Sequence, residues 1–249
     1  MTDSVRALRQ ALREASAIVA LTGAGISRES GIPTFRGANG LWRNYAPEKL
    51  ATPEAFDRDP RLVWEWYDWR RSLILKAQPN PGHLALAEIE RHVSTEGAGK
   101  RRFTLLTQNV DGLHDRAGSH NIIKLHGDIW QVRCTGCGRQ ERNDRLAVEY
   151  YGQLPPRCRC GALLRPGVVW FGEPLPQDEW QRALNAAGSA EVFLAIGTSA
   201  VVYPAAGLAE GAWARGAKVA VVNPEPTPLD EMDTWVLRAP SGEVLPKLT

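Results

Sequence analysis

Apolar runs of about five residues alternate with stretches of helical period along most of the chain. Val5, Leu8 and Leu12 are spaced as one face of a helix, and the apolar run at 17–21 follows as a buried strand. Further strands are predicted at 103–106, 121–125, 192–196 and 218–222, and helices near 83–91, 177–187 and 204–215. Strands without a polar face that alternate with helices are typical of a parallel sheet covered on both faces. The expected fold class is α/β, with a Rossmann-like parallel sheet.

Two stretches interrupt this alternation. The first, 37–79, is rich in Trp and charged residues and predicts short helices, and the second, 128–166, contains the cysteines. We interpret both as insertions that form a smaller lobe. The sequence therefore predicts one domain over 1–249, with a large lobe at about 1–36, 80–127 and 167–249. The small lobe is expected at about 37–79, which is helical, and 128–166, which binds zinc.

Charge and hydropathy narrow the possible partners. The 249 residues include 30 Lys and Arg against 28 Asp and Glu, a formal net charge of +2, so nucleic acid is not the expected partner. The longest apolar runs are far shorter than the ~20 residues that span a bilayer. The first residues lead into a charged amphipathic pattern without the apolar segment of a signal peptide. We expect a cytoplasmic monomer that has no membrane segment.

The spacing of the four cysteines predicts a metal site. Cys134 and Cys137 are two residues apart, and Cys158 and Cys160 are one residue apart, so the second pair needs a tighter turn than usual. A reducing compartment disfavours disulfides, which makes one structural zinc ion the favoured interpretation. Redox-active or merely buried thiol pairs are the alternative. Four protein ligands would close the site to catalysis.

Polar or glycine-rich segments follow five of the predicted strands. These segments are 22–25, 107–111, 126–128, 197–199 and 223–225. Ligands of open parallel sheets bind at the carboxyl ends of the strands, so the five segments are expected to form one site. The first could place bare glycine amides against a pyrophosphate, although tight-turn glycine is the simpler interpretation. Arg28 replaces the third glycine of the dehydrogenase fingerprint, and a flexible loop through Gly37 is predicted rather than a rigid helix.

Several long motifs resemble the sirtuins, which are NAD-dependent protein lysine deacylases. The first signature of that family is matched by Gly23-Ala24-Gly25-Ile26-Ser27 and Gly31-Ile32-Pro33-Thr34-Phe35-Arg36. The others are matched by Gln108-Asn109-Val110-Asp111-Gly112-Leu113-His114, Ala117-Gly118, Leu125-His126-Gly127, Pro166-Gly167-Val168-Val169-Trp170-Phe171-Gly172-Glu173 and Gly197-Thr198-Ser199. The resemblance runs from about residue 4 to residue 246. It departs from the family only in the short Cys158-x-Cys160 spacing, which concerns the geometry of the zinc lobe.

The resemblance implies that NAD is a co-substrate. In the family, the acyl-lysine carbonyl oxygen attacks the ribose carbon that carries nicotinamide, and the products are nicotinamide, O-acyl-ADP-ribose and free lysine. His126 is the expected base, because a neutral imidazole can remove a ribose proton near pH 7. The resemblance implies Asn109 as the second catalytic residue. The remaining cofactor-binding residues implied are Gly23, Ala24, Gly25, Ser27, Phe35, Arg36, Trp42, Gln108, Asp111, Gly197, Thr198, Ser199, Asn223, Glu225 and Ser241. Asn109 and Asp111 could alternatively be strand-end caps.

Two features bear on the acyl group. By resemblance, Val169, Trp170, Phe171 and Gly172 line the acyl-lysine tunnel and pair their backbone with the substrate peptide as an added strand, whereas the pattern alone predicts a short core strand at 169–173. Tyr67 and Arg70 share a helix face and resemble the Tyr-x-x-Arg of sirtuins that remove succinyl, malonyl and glutaryl groups. A phenol and a guanidinium can bind the distal carboxylate that acetyl lacks. A core tyrosine and a surface arginine are the alternative interpretation.

Two other functions compete with deacylation. A mono-ADP-ribosyltransferase would use the same NAD site and share His126 and Asn109. A zinc-knuckle module for nucleic acid is disfavoured because the net charge is small and the strand-end residues would have no purpose. The favoured prediction is an NAD-dependent deacylase that prefers succinyl or malonyl lysine and can also accept acetyl lysine.

Overall fold

The computed structural model describes residues 3–33, 46–96, 100–232 and 235–249. Its α-helices are α1 (Asp3–Glu14), α2 (Ala24–Arg28), α3 (Pro47–Leu50), α4 (Pro53–Arg58), α5 (Pro60–Lys76), α6 (Pro81–Glu96), α7 (Leu113–Ala117), α8 (Ala147–Tyr151), α9 (Gln177–Gly188), α10 (Gly207–Trp213) and α11 (Ser241–Val244). Its strands are β1 (Ala17–Thr22), β2 (Arg102–Thr107), β3 (Ile122–Lys124), β4 (Gly127–Cys134), β5 (Gln140–Arg142), β6 (Leu164–Val168), β7 (Val192–Ile196), β8 (Lys218–Val222) and β9 (Trp235–Leu237). Short 3-10 turns lie at Pro228–Glu231 and Leu245–Lys247.

A six-stranded parallel sheet in the order β3-β2-β1-β7-β8-β9 forms the larger part of the fold. Every residue of β1 is buried, because Ile18 and Ala20 pack into one core while Val19 and Leu21 pack into another on the opposite face. Helices α1 and α6 cover the first face, and α9 and α10 cover the second. The predicted α/β class with helices on both faces is confirmed, and the strand β9 is an addition that the sequence pattern did not predict.

A second, antiparallel sheet in the order β5-β4-β6 has a core of its own. Helix α5 packs against it: Trp64 and Trp66 are buried with Ile129 and Val132, and the Trp64 indole donates to the Leu164 carbonyl at 2.8 Å. The Trp-rich insertion and the cysteine-containing insertion therefore share one hydrophobic core. The exact limits of the two lobes stay a prediction.

Local structure differs from the sequence expectations at two places. The loop predicted up to Gly37 follows the short helix α2 over its described part, 29–33, and 34–45 lie outside the described residues. The strand predicted at 169–173 is wrong, because β6 ends at Val168. The chain then turns at Gly172, whose φ of +87° favours glycine, and the Glu173 amide donates to the Trp170 carbonyl at 3.0 Å. The helix predicted at 204–215 is shorter, spanning Gly207–Trp213.

Among the helices of the described ranges, none combines the length and the apolar character that crossing a bilayer requires.

Candidate active site

The carboxyl ends of the parallel strands meet at one edge of the large sheet, as predicted. Thr22 at the end of β1 donates through its hydroxyl to the Thr107 hydroxyl at the end of β2, at 2.9 Å. The side-chain amide nitrogen of Gln108 donates to the Thr198 hydroxyl at 3.2 Å, and this bond joins β2 to the segment after β7. Residues that are up to 90 positions apart in sequence therefore line one crevice.

Three glycines allow the turn after β1 to lie directly against the segment after β7. A Cβ on Gly25 would lie 2.6 Å from the Gly197 carbonyl oxygen, and one on Gly197 would lie 2.4 Å from the Ile26 nitrogen. The amides of Gly23 and Gly25 donate to the carbonyls of Ile196 and Gly197 at 3.0 and 2.8 Å. The expectation of bare amides is therefore wrong at Gly23 and Gly25, because backbone packing uses both groups.

Asn109 and Asp111 converge on the Ser27 hydroxyl. Asn109 donates to the Gly23 carbonyl at 3.0 Å and to Ser27 at 3.1 Å, and Ser27 donates to Asp111 at 2.7 Å. Asp111 also accepts the Leu113 amide at 2.9 Å, so it caps the start of α7 as well. Burial raises the pKa of Asp111, while the bonds from Leu113 and Ser27 oppose that rise. The bond from Leu113 fits the capping interpretation of Asp111, and the NAD-binding roles of both residues stay predictions.

The backbone determines the tautomer of His126. Its Nδ1 lies 3.0 Å from the Gln108 carbonyl oxygen, which can only accept, so Nδ1 carries the proton in the neutral ring. Nε2 then has a lone pair and can act as a base. Burial lowers the pKa of His126 below its ordinary 6.5, so the ring is neutral at pH 7. This is the state that a general base needs.

Sequence reasoning missed three polar residues beneath this site. His114 lies 3.0 Å from the Thr22 hydroxyl and its ring packs 4.8 Å from that of His83. Both rings are buried, and burial lowers the pKa of His83 to about 4. Asn80 donates to the Ile26 carbonyl at 2.7 Å and to Ser30 at 2.9 Å, which anchors α2. The Asn80-Pro81 pair before α6 is a helix-start signal that could have indicated Asn80. His114 ends one of the matched family signatures, whereas His83 has no local signal.

The residues assigned to the adenosine end lie in the turn after β8 and at the first residue of α11. The Asn223 side chain donates to the Glu225 carbonyl at 2.7 Å, which braces the turn after β8, and the Glu225 side chain is exposed. Ser241 donates to Glu29 at 2.6 Å and joins α11 to the end of α2. Ser199 is exposed next to Thr198. The remaining predicted residues Phe35, Arg36 and Trp42 lie outside the described residues.

Tyr67 lies on the face of α5 that meets the segment after β6, and Arg70 follows it about one turn later on the same helix. The Tyr67 hydroxyl accepts the Trp170 indole N–H at 2.9 Å, and the Arg70 guanidinium lies 5.2 Å from the Trp66 ring centre. Burial raises the pKa of Tyr67 to about 12 and lowers that of Arg70. At neutral pH the pair is thus a protonated phenol beside a cationic guanidinium. The Arg70 charge also reaches the strand-end site, where it lowers the pKa of Asp111 against the larger effect of burial.

The segment 169–172 differs from the expected substrate-pairing strand. The amides of Val169 and Phe171 donate to the carbonyls of His126 and Ala51, both at 2.9 Å, and the Trp170 amide donates to Glu173 at 2.8 Å. These three amides are bonded within the chain, and the pairing of this segment with a substrate peptide stays a prediction. Trp170 is buried, whereas the Phe171 ring is exposed.

The four cysteines form one cluster. The sulfurs of Cys134, Cys137, Cys158 and Cys160 lie within 4.8 Å of one another, and no disulfide joins them. The Cys134 and Cys160 sulfurs are 3.4 Å apart, and those of Cys137 and Cys158 are 3.8 Å apart. A tetrahedral zinc ion with Zn–S bonds of about 2.3 Å places its sulfurs roughly 3.8 Å apart, so the cluster fits this metal. The short second spacing closes through a turn in which the Gly161 amide donates to the Cys158 carbonyl at 2.9 Å.

Comparison with known proteins identifies the class to which this fold and site belong. Residues 23–204 match the model of the Sir2 family. The NAD-dependent protein deacylase of Aquifex aeolicus is 56% identical over 216 residues, covering 86% of each chain. That of Pyrococcus furiosus is 50% identical over 240 residues, covering 95% of this chain and 93% of that protein. The chain belongs to the Sir2 family.

Solved structures agree with this assignment. A Sir2 homolog–NAD complex is 48% identical, covers 98% of this chain and 91% of its own, and superposes with a TM-score of 0.88. A complex described as Sir2–p53 peptide–NAD+ is 32% identical, covers 98% and 96% of the two chains, and has a TM-score of 0.85.

Proposed function

We propose that this protein removes acyl groups from protein lysines in an NAD-dependent reaction and prefers acyl groups that end in a carboxylate. The observation that carries the reaction type is His126, whose Nδ1 is bonded to a carbonyl beside the strand-end crevice. Its Nε2 is thereby left as the base. Membership of the Sir2 family and the names of the relatives support NAD as the co-substrate.

Each part of the crevice has a separate task in this reaction. Bound NAD supplies an electrophilic ribose carbon and a ribose hydroxyl whose proton must be removed. His126 accepts that proton at Nε2, since the ring is neutral at pH 7. Asn109 and Asp111 hold the nicotinamide end through a network that Ser27 already orders. The segments containing Thr198 and Asn223 bind the phosphate and adenosine portions.

The zinc ion has a structural task. The four cysteine thiolates would hold it, and since all four ligands come from the protein, no position remains for a substrate. β4 begins at Gly127, next to His126, and ends at Cys134, so the metal site and the base lie at opposite ends of one strand. Zinc binding would stabilise the small sheet against which α5 packs.

The preference for acidic acyl groups is supported by the pair on α5. Tyr67 is buried and contacts Trp170 of the segment that in the family lines the acyl tunnel, and Arg70 is half-buried on the same helix face. A guanidinium in such surroundings strengthens its hydrogen bonds to a carboxylate, which succinyl and malonyl groups carry and acetyl lacks. Unmodified lysine would lose its hydration in an apolar tunnel and be rejected.

The test is a panel of one peptide acylated with succinyl, malonyl or acetyl lysine and incubated with NAD. Mass spectrometry should detect free lysine peptide and the matching acyl-ADP-ribose, with the highest kcat/KM for the two acidic acyl groups. Higher efficiency on acetyl lysine would reject the acyl preference and retain the deacylase. A peptide that gains ADP-ribose without losing its acyl group would instead identify a mono-ADP-ribosyltransferase.

A further inference from the structure

Trp170 restricts the orientation of the Tyr67 hydroxyl. An indole N–H can only donate, so Trp170 Nε1 occupies a lone pair of Tyr67 Oη, at 2.9 Å. The phenol hydrogen must therefore point elsewhere. No protein acceptor for it is found in the ranges that the structure describes, although Tyr67 is only 1% exposed. Buried donors almost always have an acceptor, so this hydroxyl is set to donate to a bound molecule.

Trp170 is itself fixed by a buried ion pair. The Arg165 guanidinium lies 3.4 Å from the Trp170 ring centre and forms two hydrogen bonds to Glu173, at 2.5 and 2.8 Å. Glu173 accepts the Trp170 amide at 2.8 Å, and Arg165 donates to the Val168 carbonyl at 3.1 Å. Both the backbone and the ring of Trp170 are thus held, and its N–H points at Tyr67.

We propose that Trp170 is a positioning residue for acyl-group choice: its indole N–H orients the Tyr67 hydroxyl so that the phenol hydrogen is offered to the distal carboxylate of the acyl group. This inference rests on the proposed function of Tyr67 and Arg70. In this proposal the segment 169–172 lines the apolar tunnel and also contributes to the choice between acyl groups. An acetyl group has no distal acceptor, so the orientation of the phenol contributes nothing to acetyl removal.

The test is a double-mutant cycle on the ratio of kcat/KM for succinyl and acetyl peptides. Trp170→Phe removes the N–H and keeps an aromatic ring, and Tyr67→Phe removes the hydroxyl. Tyr67→Phe should lower the ratio roughly 10- to 150-fold, because it removes a hydrogen bond to a charged carboxylate. Trp170→Phe only leaves the hydroxyl free to turn, so it should lower the ratio about 3- to 10-fold. The double variant should lower it no more than Tyr67→Phe alone, because Trp170 acts through that hydroxyl. Trp213→Phe, on an exposed tryptophan of α10, is the matched control and should leave the ratio unchanged.

An NMR measurement separates this inference from the acyl preference itself. The indole N–H resonance of Trp170, identified by its loss in Trp170→Phe, should shift in Tyr67→Phe and on addition of a succinyl peptide, but not of an acetyl peptide. Multiplicative effects of the two substitutions on the ratio, or a Trp170→Phe ratio equal to wild type while Tyr67→Phe lowers it, would overturn the positioning role. A ratio unchanged in Tyr67→Phe, together with wild-type preference for acetyl lysine, would reject the acyl preference and with it this inference. A parallel loss of both activities and a lower melting temperature in Trp170→Phe would show a packing role instead.

Discussion

The strand-end crevice and the acyl end of the tunnel are supported in different ways. The crevice depends on the register of parallel strands and on backbone contacts such as those between Gly25 and Gly197. The acyl end depends on single side chains of α5 that meet elements far along the chain, as Tyr67 meets Trp170. Under the proposed function, catalysis is thus tied to the fold itself, whereas the choice of acyl group would change through one side chain. The two regions should respond differently to metal loss, to substitution and to pH.

Removing the zinc ion is expected to have the largest effect, and to fall on the small lobe. Cys137→Ser or Cys160→Ser should unfold the small sheet, because structural zinc binding contributes about 10–16 kcal/mol in small zinc modules. Elemental analysis should find about one zinc per chain in the wild type. Circular dichroism and limited proteolysis of the variants should locate the unfolding.

The matched control for the metal is Arg159→Ala, an exposed residue between two of the cysteines. It should retain the zinc and the fold. A stoichiometric disulfide without metal in the wild-type protein would contradict the zinc assignment.

Substituting the base should lower turnover without changing the shape of the crevice. His126→Ala is expected to lower kcat by about 10²- to 10⁴-fold, the usual contribution of a general base, with succinyl and acetyl peptides affected alike. NAD binding, measured by calorimetry, should change little. Replacing the half-exposed His92 by Ala serves as the control, and near-normal turnover in His126→Ala would assign the base to another group.

Substituting the guanidinium should affect only the acyl end. Arg70→Met removes charge-assisted hydrogen bonds worth ~1.5–3 kcal/mol, so kcat/KM for succinyl lysine should fall roughly 10- to 150-fold. Acetyl removal should change little or improve. Arg61→Met, on an exposed residue of the same helix, is the control for steady-state kinetics with both peptides. An equal loss for both acyl groups would indicate a packing role for Arg70.

A change of pH is expected to have the smallest of these effects on kcat/KM, because the rate should change little near physiological pH. Burial lowers the pKa of His126 below 6.5, so the base form predominates at pH 7 and is lost only as the pH falls through that lowered value. The kcat/KM profile should be flat from pH 7 upward and decline below pH 6.5. Burial also raises the pKa of Asp111, so Asp111→Asn is the control that separates the two groups, and it should leave the position of the acid limb unchanged. An acid limb centred above pH 6.5 would contradict the environment described for His126.

Local pattern was sufficient to predict the parallel sheet, the convergence of the strand ends and the cysteine cluster. Apolar runs such as 17–21 specify buried strands, and parallel strands bring their carboxyl ends to one edge for geometric reasons. Cysteine spacing specifies a metal site because a short turn limits where two sulfurs can lie. The monomeric state and the cytoplasmic location stay predictions.

Contacts between distant segments were decided only by the tertiary structure. The amides of Gly23 and Gly25 donate to backbone carbonyls at the end of β7, and no local rule could indicate these bonds. The segment after Val168 turns because its amides donate to His126, Glu173 and Ala51. The sequence placed Tyr67 and Arg70 on one helix face, since helical period is a local property. That the Tyr67 hydroxyl meets the Trp170 indole, 103 residues away, follows only from packing α5 against the small sheet. Side-chain hydrogen bonds of this range depend on the whole core, and the sequence pattern does not contain them.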